Sequence, residues 1–317
     1  MGHVIVYGAA GFVGSMLLTA DQLVGSSITL IDPLPMDPEV LHAARQHGLP
    51  IDVQQAGTLS DGDFGEGDAL LVLAGQTDVD QALADPSSAF TANGGIAVEV
   101  GEWWRRHPDV RVVYLSSDEV LGASDRPLAE DAAYRPTQPY AASKAAAEMT
   151  LRCYGETYGL DLVVIRSCNL VGGRQRARKL LPTAVLSLAG NSPVPIFGSG
   201  LQSREYLAVE DLCAVLRMAI AAKIPAGVYH CTSAVSLTVI EVVKIVAEAI
   251  GAPANLNHVT DRLVHDRAYA MNASLLHSLG WSHRVPPIDA IAGAARELHA
   301  AWRRGEKLTT PRFDSQT

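Results

Sequence analysis

Tyr140 and Lys144 are four residues apart in the segment Y-A-A-S-K, which begins directly after Pro139. Proline is common in the first turn of a helix, and side chains four apart on a helix share one face. An ammonium group beside a phenol favours the phenolate, so such a tyrosine can act as a base at neutral pH. The alternative is an ordinary amphipathic helix with a buried tyrosine.

A glycine-rich loop near the start of the chain, G-x-x-G-x-x-G, lies between a β-branched run and a segment of helical periodicity. Such a loop lets the backbone approach a pyrophosphate, whose charge then meets the N-terminus of a helix. Asp32 ends the next apolar run, where a carboxylate binds a ribose diol and repels a 2′-phosphate. The pattern predicts an NAD site formed by Gly8, Gly11, Phe12, Val13, Gly14 and Asp32, with Tyr140 and Lys144 also beside the cofactor. The positive charge of the nicotinamide, together with that of Lys144, would favour the phenolate. The alternative is a glycine-rich turn that binds no ligand.

A further polar cluster, Ser116-Ser117-Asp118-Glu119, ends an apolar run that spans residues 110–116. Two carboxyl groups beside a tyrosine–lysine pair suit a reaction that removes a proton and expels water. The alternative for the two acids is a solvated turn or a helix cap after a strand.

Short apolar runs alternate with helical patterns along the chain. They predict strands over 3–7, 28–31, 69–74, 110–116, 162–165 and 229–231, and helices over 12–24, 96–106, 140–158, 210–221 and 237–250. This alternation indicates an α/β fold, a Rossmann-type doubly wound parallel sheet with helices on both faces. Because it becomes irregular after about residue 170, we expect an NAD-binding core over 1–170, with returns near 205–232, and a smaller substrate-binding lobe over 171–317.

Composition limits the class of protein. The chain has 317 residues, of which 48% are hydrophobic, and a net charge of −9. This charge is opposite to that of most proteins that bind a nucleic-acid backbone, so we expect no nucleic-acid partner. The four cysteines form no C-x-x-C pair, which argues against a metal or dithiol site and indicates reduced thiols in the cytoplasm. No apolar run is long enough to span a bilayer, so no membrane partner is expected.

The glycine loop, the Y-x-x-x-K pair and the serine-rich strand end together resemble the extended short-chain dehydrogenase/reductase family over nearly the whole chain. Residues 116–122, S-S-D-E-V-L-G, are similar to the S-T-D-E-V-Y-G segment of the dTDP-glucose 4,6-dehydratases within that family. The resemblance implies that Ser117 is the third catalytic residue, which hydrogen-bonds the reacting hydroxyl beside Tyr140 and Lys144.

The resemblance also implies a reaction. Tyr140 takes the proton of the 4-hydroxyl of a nucleotide-linked hexose while NAD oxidises C4. Glu119 then removes the C5 proton, and Asp118 protonates the 6-hydroxyl, which leaves as water. Return of the hydride to C6 regenerates NAD, so the cofactor stays bound throughout.

Further segments match the family in chain order, and the resemblance implies binding roles for them. Contacts with the cofactor are implied for Thr58, Leu59 and Ala74. Contacts with the nucleotide sugar are implied for Thr77, Asp78, Asn169, Lys179, Leu180, Arg204, Arg267 and Tyr269. Arginine suits this task because its planar fork pairs with phosphate oxygens. Taken singly, each of these residues could instead be a turn residue or a solvated charge.

Departures from the family pattern fall around the sugar and the base, at Thr58, Gln76, Asp78, Leu121, Val171 and Arg178. We therefore expect the 4-oxidation chemistry to be retained while the substrate is left open. Two other functions stay open as well. One is an NAD-dependent nucleotide-sugar epimerase or UDP-uronate decarboxylase of the same family, and the other is a non-catalytic NAD-binding protein. The resemblance also implies a homodimer in which the helices over 96–106 and 140–158 pair with their symmetry mates.

Overall fold

A computed structural model describes residues 2–19, 23, 27–48, 50–175, 178–306 and 308. Seven strands form its central sheet: β1 (His3–Tyr7), β2 (Ser27–Ile31), β3 (Ile51–Gln54), β4 (Ala69–Val72), β5 (Arg111–Ser117), β6 (Leu162–Ser167) and β10 (Gly227–Cys231). Their order is β10-β6-β5-β4-β1-β2-β3, and every neighbouring pair is parallel. The predicted parallel α/β sheet is confirmed.

Helices cover both faces of this sheet. One face packs against α1 (Phe12–Thr19), α2 (Pro38–Gln46) and α7 (Val209–Ile220), and the other against α4 (Pro86–Arg106) and α5 (Pro139–Tyr158), with α3 (Val79–Ala84) beside the last two. Alternate residues of a strand point to opposite faces. In β1, accordingly, Val4 and Val6 join one hydrophobic cluster, whereas Ile5 and Tyr7 join the other. Within the part of the chain that is described, no helix has the length and apolar composition to cross a membrane.

The later part of the chain builds two small sheets and a third hydrophobic cluster. The sheets contain β7 (Asn169–Val171), β9 (Ser203–Ala208) and β11 (Ser236–Thr238), and β8 (Val194–Phe197) and β12 (Leu256–Val259). The cluster is buried by α6 (Leu180–Ala189), α8 (Val239–Ile250) and α10 (Pro287–Arg303), while α9 (Ser274–Ser278) contacts β10. Helix α7 and strand β10, which lie within the predicted return near 205–232, pack in the central layer. The arrangement supports the division into core and lobe, which stays a proposal.

Some helix boundaries differ from the prediction. Helix α4 begins at Pro86, ten residues before the predicted start, because the carboxylate of Asp85 caps it by accepting from the backbone of Ser88 at 3.1 Å. Helix α8 begins at Val239 because a capping box at Thr238 sets its start and residues 236–238 are in β11. The first helix ends at Thr19, and the prediction beyond it extends over residues outside the described part.

A buried ion pair joins α5 to β6. Neither Glu148 nor Arg166 exposes any of its side chain, and the guanidinium donates to the carboxylate at 2.7 Å. The same carboxylate accepts hydrogen bonds from the hydroxyls of Ser116 at 2.6 Å and Tyr134 at 2.8 Å. Such a pair is stable only while both charges are present, because either one alone would be a buried, uncompensated charge.

We predict that Glu148→Gln lowers the free energy of unfolding by about 3–5 kcal/mol, because Arg166 would keep its charge without its partner. Urea unfolding followed by circular dichroism measures this change. Arg105→Gln is the control, because Arg105 pairs with Glu102 on the surface and such pairs add little to stability. Equal stability of the two variants would contradict the assignment of the buried pair as a structural support.

Candidate active site

Helix α5 places the predicted tyrosine–lysine pair at the end of β5. Tyr140 and Lys144 are both buried, and they lie one turn apart near the N-terminus of the helix. The amine of Lys144 donates to the backbone carbonyl of Leu115 at 2.7 Å and lies 4.3 Å from the centre of the Tyr114 ring. The pair is therefore held against the carboxyl end of a central strand.

Burial sets the charge state of this pair in the protein alone. It lowers the pKa of Lys144 to about 7, against the opposing effect of Glu148. Burial and the nearby Glu119 raise the pKa of the Tyr140 phenol, and a hydrogen bond with Ser117 opposes that rise. Deprotonation of Tyr140 thus requires a positive charge in addition to that of Lys144.

Ser117 and Asp118 form the turn that ends β5. A short 3-10 helix, Asp118–Leu121, follows the strand, and the hydroxyl of Ser117 accepts from the backbone of Glu119 at 3.3 Å. Ser117 also donates to the carboxylate of Asp118 at 3.1 Å. Asp118 is only 3% exposed, which excludes the alternative of a solvated turn. Burial, followed by the nearby Glu119, raises the pKa of Asp118 to about 7.

Glu119 lies in different surroundings from its neighbour. Burial raises the pKa of this carboxyl, but Arg204, Lys179 and a hydrogen bond from Gln138 all oppose the rise. The amide of Gln138 donates to the carboxylate of Glu119 at 2.6 Å. Two adjacent acids therefore have unequal surroundings: Arg204 acts on both, but the largest charge effect on Asp118 is that of the Glu119 carboxylate, while Glu119 is also stabilised by Lys179 and the amide of Gln138. Such an arrangement favours an acid and a base at one site.

The glycine loop forms a cradle of bare backbone. Gly8 has φ +91°, and a Cβ there would collide with the backbone of Ala74, while a Cβ on Gly14 would collide with the carbonyl of Ala9. Gly11 continues the turn by donating to the carbonyl of Gly8 at 3.2 Å. The protein's own backbone occupies the places where these side chains would be, so glycine is required for this tight turn. A tight glycine turn before α1 fits a ligand that needs close backbone approach, such as a pyrophosphate.

The rest of the predicted cofactor site continues from this cradle. Helix α1 begins at Phe12, and Phe12 and Val13 are both partly buried. The carboxylate of Asp32, at the end of β2, accepts from the backbone of Ala10 at 3.1 Å and of Leu34 at 2.9 Å. These two hydrogen bonds hold the Asp32 carboxylate beside the glycine loop, where it can accept from the ribose of a dinucleotide. These residues fit NAD.

The loop that contains Thr58 and Leu59 is held by a residue that the sequence analysis did not identify. The backbone of Leu59 donates to the carboxylate of Glu99 on α4 at 2.6 Å, and Tyr7 donates to both Gly57 (2.6 Å) and Glu99 (3.1 Å). Thr58 itself is exposed. The role of Thr58 at the cofactor stays a prediction. The sequence signal that could have identified Glu99 is a glutamate between two apolar residues of α4.

Several residues of the predicted sugar site converge on the two acids. The guanidinium of Arg204 stacks 4.5 Å from the centre of the Tyr269 ring and donates to the carbonyl of Asp266 at 3.0 Å. Tyr269 donates to the carboxylate of Asp266 at 2.6 Å. Arg204 and Lys179 both act on the charge of Glu119, so the structure brings the predicted cations to the predicted base.

Other predicted ligands lie at the edge of this cluster. The amine of Lys179 donates to the carbonyl of Thr77 at 2.7 Å. Asp78 caps α3 by accepting from Gln81 at 3.0 Å, and it lies 3.8 Å from Arg178. The carboxylate of Asp78 thus has a structural task, and its role as a substrate ligand stays a proposal.

Three further predicted ligands have contacts of their own. Asn169 begins β7 and hydrogen-bonds Tyr206, while Leu180 begins α6 and packs on the third hydrophobic cluster. Arg267 is exposed and lines a cleft of about 340 Å³ with Ser199, Leu201, Gln202, Asp261 and His265. Their binding roles also stay proposals.

Comparison with known proteins places this geometry in a family. Residues 4–232 match the NAD dependent epimerase/dehydratase family. The dTDP-glucose 4,6-dehydratase of Actinoplanes sp. is 32% identical over 96% of this chain and 98% of its own length. The dTDP-glucose 4,6-dehydratase of Streptomyces niveus is 30% identical over 98% of this chain and 96% of its own length.

Solved structures agree with the sequence matches. DesIV, a dTDP-glucose 4,6-dehydratase from Streptomyces venezuelae solved with NAD bound, matches with a TM-score of 0.84 and 26% identity, over 97% of this chain and 99% of its own. A UDP-N-acetylglucosamine 4-epimerase from Methanobrevibacter ruminantium M1 has a TM-score of 0.83 at 24% identity, over 96% and 98% of the two chains, which shows a shared fold. The family match covers most of the chain and the relatives match nearly all of it: the chain belongs to the NAD dependent epimerase/dehydratase family.

Proposed function

We propose that this chain is an NAD-dependent nucleotide-sugar 4,6-dehydratase, a hydro-lyase that converts an NDP-hexose to an NDP-4-keto-6-deoxyhexose. The observation that carries the proposal is the adjacent pair of acids, the buried Asp118 and the partly buried Glu119, which lies beside Tyr140 in unequal surroundings. Relatives named dTDP-glucose 4,6-dehydratases match nearly the whole chain, so dTDP-glucose is the first substrate to test.

The protein groups have separate tasks in this reaction. Tyr140 accepts the proton of the sugar 4-hydroxyl, while Ser117, which hydrogen-bonds the phenol, orients that hydroxyl. Bound NAD supplies the oxidation at C4 and the return of the hydride to C6. Lys144, one helical turn from Tyr140, anchors this part of α5 to β5 by donating a hydrogen bond to the carbonyl of Leu115.

Water loss is assigned to the two acids. A 4-keto group makes the C5 hydrogen acidic, and Glu119 removes it because its carboxylate form is stabilised by Arg204, Lys179 and Gln138. Asp118 retains its proton near neutral pH and donates it to the departing 6-hydroxyl. Glu119 exchanges its proton with solvent and returns one to C5. Solvent also takes up the proton gained by Tyr140 and restores the one lost by Asp118, so atoms and charges balance over the cycle.

The assembly and location are part of the proposal. Helices α4 and α5 pack against each other and leave large apolar side chains exposed at Phe90, Val98, Met149 and Tyr158. Such side chains support a symmetric four-helix interface between two copies. All four cysteines are free thiols, which supports a reducing, cytoplasmic location.

We predict that Asp118→Asn still oxidises C4 of dTDP-glucose but loses water about 10²–10⁴ times more slowly, because the general acid is missing. Reduced nicotinamide, followed by its absorbance, should then accumulate during one turnover. Asp125→Asn, at an exposed aspartate in the loop that follows, is the control and should react like the wild type. Full turnover by Asp118→Asn would rule out this dehydratase mechanism and favour the epimerase or decarboxylase alternative. Bound NAD with no turnover on any nucleotide hexose would favour the non-catalytic alternative.

The same assignment predicts how water loss depends on pH. A general acid must carry its proton, and the pKa of Asp118 is about 7. Elimination should therefore slow by about tenfold for each pH unit above that value. The amine of Lys144 also titrates near pH 7, but its effect falls on the oxidation. Single-turnover rates of nicotinamide reduction and reoxidation separate the two steps, and the reoxidation rate of Asp118→Asn should show no decline over this range. An identical decline in the variant would assign the dependence to another group.

We predict that Met149→Glu converts the dimer to a monomer, because it would bury a carboxylate in the proposed interface. Light scattering after size-exclusion chromatography measures the molar mass. Ile288→Glu is the matched control, since Ile288 on α10 is similarly exposed, 51% against 54% for Met149. If Met149→Glu has the mass of the wild type, the interface does not lie on this helix.

A further inference from the structure

Gln138, the residue before the helix that carries Tyr140, has a longer side chain than a helix cap needs. Gln138 is buried, and its side-chain carbonyl accepts from the backbone of Tyr140 at 2.7 Å, which caps α5. Serine, threonine, aspartate and asparagine are the preferred residues at such a position, and all of them are shorter. Capping alone therefore leaves the length of the glutamine side chain unexplained.

The other end of the same amide accounts for this length. The amide nitrogen of Gln138 donates to the carboxylate of Glu119 at 2.6 Å, across 19 residues of sequence. A single planar amide thus connects the base proposed for C5 with the first turn of the helix that carries Tyr140. Both atoms of the amide are used, so rotation about the side chain would break two hydrogen bonds at once.

The segment around Gln138 is also fixed on its other side. The hydroxyl of Thr137 donates to the carboxylate of Asp266, which also accepts from Tyr269 at 2.6 Å. The chain before α5 is therefore anchored both to the acids that follow β5 and to the segment that carries Tyr269.

We propose that Gln138 is a positioning residue: its amide holds the carboxylate of Glu119 in a fixed relation to Tyr140, ready to face the sugar carbon next to the oxidised one. The assignment of Glu119 as the C5 base rests on the proposed function. The contact between Gln138 and Glu119 does not.

The charge of Glu119 is set by groups from every element around it. They are Arg204 on β9, Lys179 before α6, Asp266 and Tyr269 in the segment before α9, Tyr140 on α5 and its neighbour Asp118. The amide of Gln138 adds a hydrogen bond that favours the carboxylate, so its removal raises the pKa of Glu119. The acid limb of the pH profile then moves to higher pH, because the base must be deprotonated to act.

Two variants separate capping from positioning. Gln138→Ser keeps a good cap but cannot reach Glu119, whereas Gln138→Ala loses both functions. We expect both variants to move the acid limb of kcat upward by the same amount and to lower kcat about tenfold, with KM nearly unchanged. Only Gln138→Ala should lower the melting temperature. A Gln138→Ser variant with the wild-type pH profile would show that Gln138 is a cap alone.

A second measurement does not depend on turnover. Glutamate labelled with ¹³C at the carboxyl allows the titration of Glu119 to be followed by NMR in the NAD-loaded protein, with its signal assigned from Glu119→Gln. The titration midpoint should be higher in Gln138→Ser than in the wild type, and equal midpoints would overturn the proposal. If the midpoint moves but no nucleotide hexose is converted by the wild type, the positioning contact stands and the proposed dehydratase function fails.

Discussion

Two carboxyl groups that are adjacent in the chain, one buried and one partly buried, lie at the end of β5, and the surroundings of the site are arranged around them. Burying one ionised carboxylate is costly, and burying two side by side is more so, because their charges repel. The structure lowers this cost in a different way for each of the two acids. The pKa of Asp118, beside the Glu119 carboxylate, is raised to about 7 although Arg204 opposes the rise, while Lys179 and Arg204 stabilise the charge of Glu119. The proposed roles of acid and base rest on that inequality.

This arrangement depends on elements that are far apart in the sequence. The central sheet supplies the strand end, α5 supplies the phenol and the amine, and the later part of the chain supplies both cations. The buried pair Glu148–Arg166 fixes α5 against β6 and also lies close enough to Lys144 to oppose the fall of its pKa. A loss of the cations would raise the pKa of Glu119 further, and a shift of α5 would separate the phenol from the acids. The Glu148–Arg166 pair, which stabilises the packing of α5, therefore also helps to position the phenol and the amine.

The sequence predicted the parts of this site that depend on local spacing. The glycine loop, the tyrosine–lysine pair and the alternation of strands and helices each have a fixed local pattern, and the structure contains all three. Contacts between distant segments were beyond such patterns. The bond from Gln138 to Glu119 and that from Lys179 to Thr77 arise only after the sheet and the lobe have packed. The raised pKa of the Tyr140 phenol in the protein alone was also beyond such patterns, because spacing along a helix reveals neither the burial of the pair nor the carbonyl that the amine faces. The start of α4 was missed because Gly94 and Gly95 interrupt its apolar periodicity.

The central claim is that one protein carries oxidation, deprotonation and loss of water at a single buried site without net consumption of NAD. Incubation of the NAD-loaded protein with dTDP-glucose in deuterated water, followed by mass spectrometry of the nucleotide sugar, tests it most directly. The account predicts a product that has lost one water and gained one deuterium at C5, with the cofactor oxidised at the end. A nucleotide sugar of unchanged elemental composition, with or without inversion at C4, would contradict it.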